Sequence, residues 1–80
     1  MTMVHAYIMV KAAALTDGID QLKEDLLAVD NGIVSVHIVA GDVDFIVKVD
    51  VGSPTDVKDI AGGIQSIDGI EDTQTYIAMD

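Results

Sequence analysis

Apolar residues recur along this chain in two periods, one suited to strands and one to helices. Met3–Val10 is a short apolar run with β-branched and aromatic members, which predicts a strand. Ala12–Leu15 leads out of it, and Thr16 or Asp17 supplies a helix N-cap. Ile19, Leu22, Leu26 and Val29 follow at i, i+3, i+7 and i+10, a single helix face, with Asp20, Lys23, Glu24 and Asp25 outside it. Asn31-Gly32 predicts the end of that helix through a glycine at positive φ. Ile33–Ala40 and Val43–Val51 read as two strands of an antiparallel hairpin joined by Gly41-Asp42. In Ser53-Pro54-Thr55-Asp56, the serine is an N-cap, the proline suits the first helical position, and Asp56 faces the positive end of the helix dipole. The second helix face is Val57, Ile60, Ile64 and Ile67. Gly62-Gly63 falls inside it at up to about 1 kcal/mol per glycine, so the helix either packs very closely there or frays. Asp68-Gly69 ends it, and Ile70–Met79 is the last strand. Thr73, Thr75, Ile77 and Met79 lie on one face of that strand, and Gln74, Tyr76 and Ala78 on the other.

The order β-α-β-β-α-β is a half-repeat: the two helices share their face spacing, and Gly32-Ile33 and Gly69-Ile70 each open a strand. Right-handed crossovers then predict an α+β, ferredoxin-like sandwich, a four-stranded antiparallel sheet with both helices on one face. Residues 1–80 are expected to form one domain. The strands are apolar on both faces: Met3, Tyr7 and Met9 on one side of the first, Val4, Ile8 and Val10 on the other. Strands of that kind are buried on both faces, so the open face is expected to dimerise against a partner sheet.

Half of the 80 residues are hydrophobic, more than the thin core of so small a domain hides. The formal net charge is −10 and arginine is absent. A basic nucleic-acid footprint cannot be assembled from four lysines, and an anionic membrane is equally unsuited. The acidic, lysine-poor surface fits a salt-rich cytoplasm of the halophile type, where a Debye length of about 3 Å removes self-repulsion; the alternative is simply an acidic protein. Without cysteine there is no disulfide and no thiolate metal site. No apolar run approaches a membrane span, and the N-terminus lacks the basic start of a signal peptide; a cytoplasmic location is expected.

The candidate chemistry gathers at Gly41-Asp42-Val43-Asp44. Asp42 is ordinary turn chemistry. Asp44 lies inside an apolar run, where a charge needs a partner or water. The pair offers oxygens to a hard cation or an ammonium group, but two carboxylates do not make a metal site. Thr73 and Thr75 are either β-branched strand formers or hydroxyls for a polar ligand. His5 and His37 are kept apart by the third strand and read as partly buried histidines with backbone partners. No nucleophile–base pair, phosphate loop or cofactor motif is present, so neither catalysis nor a cofactor is expected.

The run Val34–Val49, with its valine-rich strand, G-x-x-D turn and second apolar strand, resembles the ligand-sensing RAM domain of the Lrp/AsnC regulators. Gly69-Ile70-Glu71-Asp72-Thr73-Gln74-Thr75-Tyr76-Ile77 resembles that family's closing strand, and Ala6–Val10 its opening one. The chain is similar to the stand-alone RAM proteins of archaea, which lack a helix-turn-helix module. The resemblance implies a sheet-to-sheet homodimer, a ring of dimers, and an amino acid or related metabolite bound between dimers. By position it implicates Gly41, Asp42 and Asp44, and beside them Thr73, Gln74 and Thr75, with Asp44 as ammonium acceptor. Backbone N–H groups near Gly41 and the threonine hydroxyls would meet the ligand carboxylate. Val43 is a departure, since many relatives carry an aromatic there. The implied role is a small-molecule binding and oligomerisation domain modulating Lrp/AsnC-type regulators. The alternatives from the same topology are a cofactor-free dimeric monooxygenase built around His5 or His37, an ACT-type regulatory module, and an assembly domain without ligand.

Overall fold

The computed structural model describes residues 3–13 and 18–79. The elements are β1 (Val4–Ala12), α1 (Ile19–Leu27), β2 (Ile33–Ile38), β3 (Phe45–Val51), α2 (Pro54–Gln65) and β4 (Ile70–Ile77). The sheet order is β2-β3-β1-β4 and every pairing is antiparallel, which is the ferredoxin-like sandwich. The core lies on one side of the sheet. Ala6, Ile8 and Val10 of β1 and Phe45, Val47 and Val49 of β3 are fully buried beneath Leu22 and Leu26 of α1 and Val57, Ile60 and Ile64 of α2. Among the described residues no polar or charged residue is buried.

Cross-strand register separates the two faces. Val36, Val47, Ile8 and Thr75 form one row on the helix side; Ser35, Lys48, Tyr7 and Tyr76 form the next on the open side. The last strand divides as its alternation predicts: Thr73, Thr75 and Ile77 share rows with core residues, while Gln74 and Tyr76 share rows with Met9 and Tyr7.

The α2 start is as read. Ser53 is extended and its hydroxyl accepts the Asp56 N–H at 3.4 Å, with Pro54 at the first position. The glycine pair divides. A Cβ on Gly63 would lie 3.0 Å from Val29 Cγ1, so α2 approaches the chain after α1 closely there; a Cβ on Gly62 would meet nothing within 4 Å. The expected cap of α1 at Thr16 or Asp17 lies outside the described residues.

The Asn31-Gly32 helix stop is corrected. α1 ends at Leu27 with Ala28 as its C-cap, and Gly32 is not at positive φ. Gly32 is instead demanded by space, since a Cβ there would lie 2.5 Å from Val51 Cγ1. Gly69, with φ of 94°, does occupy the left-handed region at the entry to β4. The strand ends also move. β1 runs on to Ala12, whereas β2 stops at Ile38, β3 starts only at Phe45 and β4 stops at Ile77. The hairpin connection is consequently wider than Gly41-Asp42, for a reason that lies in Asp44.

Candidate functional site

Asp44 is tied on three sides. Its N–H donates to the Val10 carbonyl at 2.9 Å, and its own carbonyl accepts the Val39 N–H at 2.9 Å. Its carboxylate Oδ2 accepts the backbone N–H of Ala12, also at 2.9 Å. The charge that looked misplaced in an apolar strand thus caps a backbone donor of the central strand. This happens where the β1–β4 register shifts between Lys11 and Ala12. The bond draws the base of the hairpin loop over the end of β1 and leaves Asp42 and Val43 overhanging it.

Beneath that overhang is a cleft of about 190 Å³. Met9 and Val43 give it apolar walls, Lys11, Asp42 and Asp72 its charges, and Thr73 and Gln74 its remaining polar groups. Of the six residues singled out in the sequence, the structure brings Asp42, Thr73 and Gln74 together here. Gly41, Asp44 and Thr75 do not line it. Thr75 shares a row with Ile8 on the helix side, and the Thr73 hydroxyl donates to Gln65 Oε1 at 3.0 Å. The two threonine hydroxyls therefore do not converge with the Gln74 amide on one surface. Sequence reasoning missed Lys11 and Asp72, which are 61 residues apart and meet as direct partners across β1 and β4. Asp72 Oδ1 accepts the Thr73 N–H at 2.9 Å, which steadies that carboxylate. Lys11 Nζ stands 4.0 Å from Glu71 Oε2, with both side chains more than half exposed.

The open sheet face has its own character. Its rows carry Tyr7, Tyr76, Met9 and Ile46, together with two lysines (Lys11, Lys48) and two aspartates (Asp50, Asp72). Glu71, beside Lys11, and Asp42, at the cleft that Met9 and Lys11 line, add two further carboxylates at its edge. Tyr76 is 51% exposed on it. Both histidines lie here, on β1 and β2 with β3 between, as expected. The expected backbone partner of His5 is corrected: His5 Nδ1 meets Asp50 Oδ1 at 2.6 Å, with 46% of the His5 side chain exposed. Because a carboxylate only accepts, Nδ1 carries the proton in this contact. His5 also borders a second groove of about 370 Å³, lined otherwise by Met3, Val4, Pro54, Ile77, Ala78 and Met79. Among the described residues, no group of three or more His, Asp or Glu could hold a metal ion, and no helix is long and apolar enough to cross a membrane.

A βαββαβ sandwich with one uncovered sheet face and a cleft at its hairpin tip defines a class of small α+β domains. Within that class the chain belongs to the Lrp/AsnC ligand binding domain family, whose model matches residues 5–80. No curated protein sequence matched the chain. Among solved structures it is similar to FFRP-DM1, with 31% identity, 95% of this chain and 99% of that one covered, and a TM-score of 0.81. It is similar to the hypothetical protein PHS023 from Pyrococcus horikoshii, with 31% identity, 95% and 89% covered, and a TM-score of 0.79. It shares its fold with the feast or famine regulatory protein Rv3291c from M. tuberculosis, solved as a complex with L-methionine. There the identity is 18%, the TM-score 0.77, and the match covers 96% of this chain but 50% of the regulator.

Proposed function

We propose that this chain is an amino-acid-binding and oligomerisation domain that modulates Lrp/AsnC-type regulators. The observation that carries the reading is the cleft under the hairpin tip, where Asp42 meets Thr73 and Gln74 of β4. Those residues come from the two segments through which the family resemblance runs. Asp42, Thr73 and Gln74 touch the ligand; Gly41, Asp44 and Thr75 act indirectly. Gly41 shapes the tip, Asp44 holds the loop against Ala12, and Thr75 fills the β4 row behind the cleft. Binding of L-methionine by Rv3291c, a protein of the same fold, supports an amino acid as the ligand class.

The second half of the role is assembly. The partly apolar open face is suited to a second copy of itself, and self-pairing would bury Tyr7, Tyr76 and Ile46. A catalytic role for His5 is the weaker reading. A proton acceptor 46% exposed works against water, and the other residues of its groove offer no second titratable or nucleophilic side chain.

Equilibrium dialysis against the twenty amino acids in molar salt tests the ligand, with Asp42→Asn as control. Retention of at least one amino acid that the variant releases is the expected result. No retention of any of them, or equal retention by the variant, sinks the sensing role. Sedimentation equilibrium tests assembly: Ile46→Glu should yield monomers where the parent chain does not.

A further inference from the structure

We infer that the cleft selects amino acids carrying a second cationic group, and that Lys11 holds their α-carboxylate. The inference rests on the amino-acid reading above and narrows it. The cleft is lined by one ammonium group, Lys11, and two carboxylates, Asp42 and Asp72. An α-amino acid brings one charge of each sign. Its carboxylate takes Lys11, the one cation of the lining among the described residues, and its ammonium takes one aspartate. The other aspartate, exposed at the cleft, is then left beside the ligand's side chain with its charge unpaired. A side-chain ammonium or guanidinium group completes the pairing. An apolar side chain forgoes that pairing, and an acidic one adds a like charge beside the aspartate.

The remaining features fit the same ligand. Met9 and Val43 provide apolar wall for the methylene stem that separates the two cations of a basic amino acid. The volume of about 190 Å³ lies below the roughly 300–1,000 Å³ of sites for larger ligands, which suits a single amino acid rather than a nucleotide or peptide. The two key side chains are positioned but not consumed. Asp72 uses one oxygen on the Thr73 N–H, and the 4.0 Å contact of Lys11 with exposed Glu71 is too loose to hold the ammonium away from a ligand. The field of a chain with net charge −10 draws cations towards any opening on it.

Isothermal titration of the full chain at one fixed salt concentration tests this with L-lysine, L-arginine, L-methionine, L-glutamate and cadaverine, which is lysine without its carboxylate. L-Lysine or L-arginine should bind at least about tenfold more tightly than L-methionine, and L-glutamate not at all. Lys11→Met should weaken L-lysine about tenfold while leaving cadaverine unchanged or tighter, and Lys11→Arg should restore L-lysine. Asp72→Asn should bring the lysine-to-methionine ratio towards one. Binding of L-methionine as tight as L-lysine, yet lost in Asp42→Asn, overturns the selectivity and leaves the amino-acid reading standing. Equal losses of L-lysine and cadaverine in Lys11→Met overturn the role of Lys11. Failure of all four amino acids and the diamine overturns the selectivity; failure of all twenty in dialysis removes the reading beneath it.

Discussion

Replacing Asp44 by alanine should destabilise the domain by about 2 kcal/mol while leaving the affinity of the folded protein for its ligand nearly unchanged. The Asp44 carboxylate accepts the Ala12 N–H at 2.9 Å, and Ala12 is only 7% exposed. A hydrogen bond to a charged acceptor contributes about 1.5–3 kcal/mol, and a buried N–H left without a partner costs about 1–3 kcal/mol. The partial exposure of Asp44 favours the middle of that range. Its backbone bonds to Val10 and Val39 survive the substitution, so the loss is confined to the side chain. Asp44→Asn keeps a neutral acceptor and should lose under about 1 kcal/mol. Against a total stability of about 4–12 kcal/mol for 80 residues, the alanine variant remains folded but measurably weaker. Urea unfolding at matched protein and salt concentrations reads the effect as a midpoint shift of about 1–2 M at unchanged slope. An alanine variant within about 0.5 kcal/mol of the parent would falsify the capping role. One with full stability but no ligand binding would make Asp44 the ammonium acceptor instead.

The paired glycines of α2 should respond differently. Gly62→Ala meets nothing within 4 Å and should stabilise by about 0.5–1 kcal/mol, whereas Gly63→Ala presses on Val29 Cγ1 at 3.0 Å and should gain little or lose; equal gains by thermal melting would refute the close approach. Gly32→Ala should lose about 1–3 kcal/mol, because the new Cβ would lie 2.5 Å from Val51 Cγ1; a neutral result in the same melts would show that β3 and the loop give way freely. Self-association through the open face should tighten as salt rises. The long-range repulsion between two bodies of net charge −10 is screened; dissociation between 0.1 and 2 M potassium chloride in sedimentation would contradict this.

The elements of this fold were legible where each residue's neighbours in sequence are also its neighbours in space. Leu22 and Leu26 in α1, and Val57, Ile60 and Ile64 in α2, announce their buried stripes through helical spacing alone. Ser53-Pro54 announces the start of α2 for the same reason, since an N-cap contacts only its own first turn. Misreadings arose where the deciding contact is remote. Gly32 looked like a conformational glycine, yet Val51 of the neighbouring strand decides it. The hairpin looked tight because nothing near Asp44 in sequence shows that Ala12 is its partner. His5 showed no trace of Asp50, 45 residues away. Half of the candidate site was visible through the G-x-x-D turn and the closing strand. Lys11 was not, because a lysine at a strand end carries no local signal and only the register opposite Asp72 gives it a place.

The two aspartates of the turn therefore divide what a D-x-D pair suggests they share. Asp42 overhangs the cleft, and among the described residues its carboxylate accepts no hydrogen bond. Asp44 turns inward to Ala12. That inward bond falls at the residue where β1 slips its register against β4. Ala12 pairs with Ile70, so Glu71 is skipped and Lys11 falls opposite Asp72 rather than Glu71. The base of the loop bearing Asp42 is held by the backbone bonds of Asp44 to Val10 and Val39, which do not need its side chain. On the ligand reading proposed above, Asp44 is a positioning residue, and its removal should disturb the relative placement of Lys11 and Asp42 only as far as it frees Ala12. Hydrogen exchange separates the two effects: in Asp44→Ala the amide of Ala12 should lose protection, while those of Ile8 and Val47 in the buried row of the sheet keep theirs.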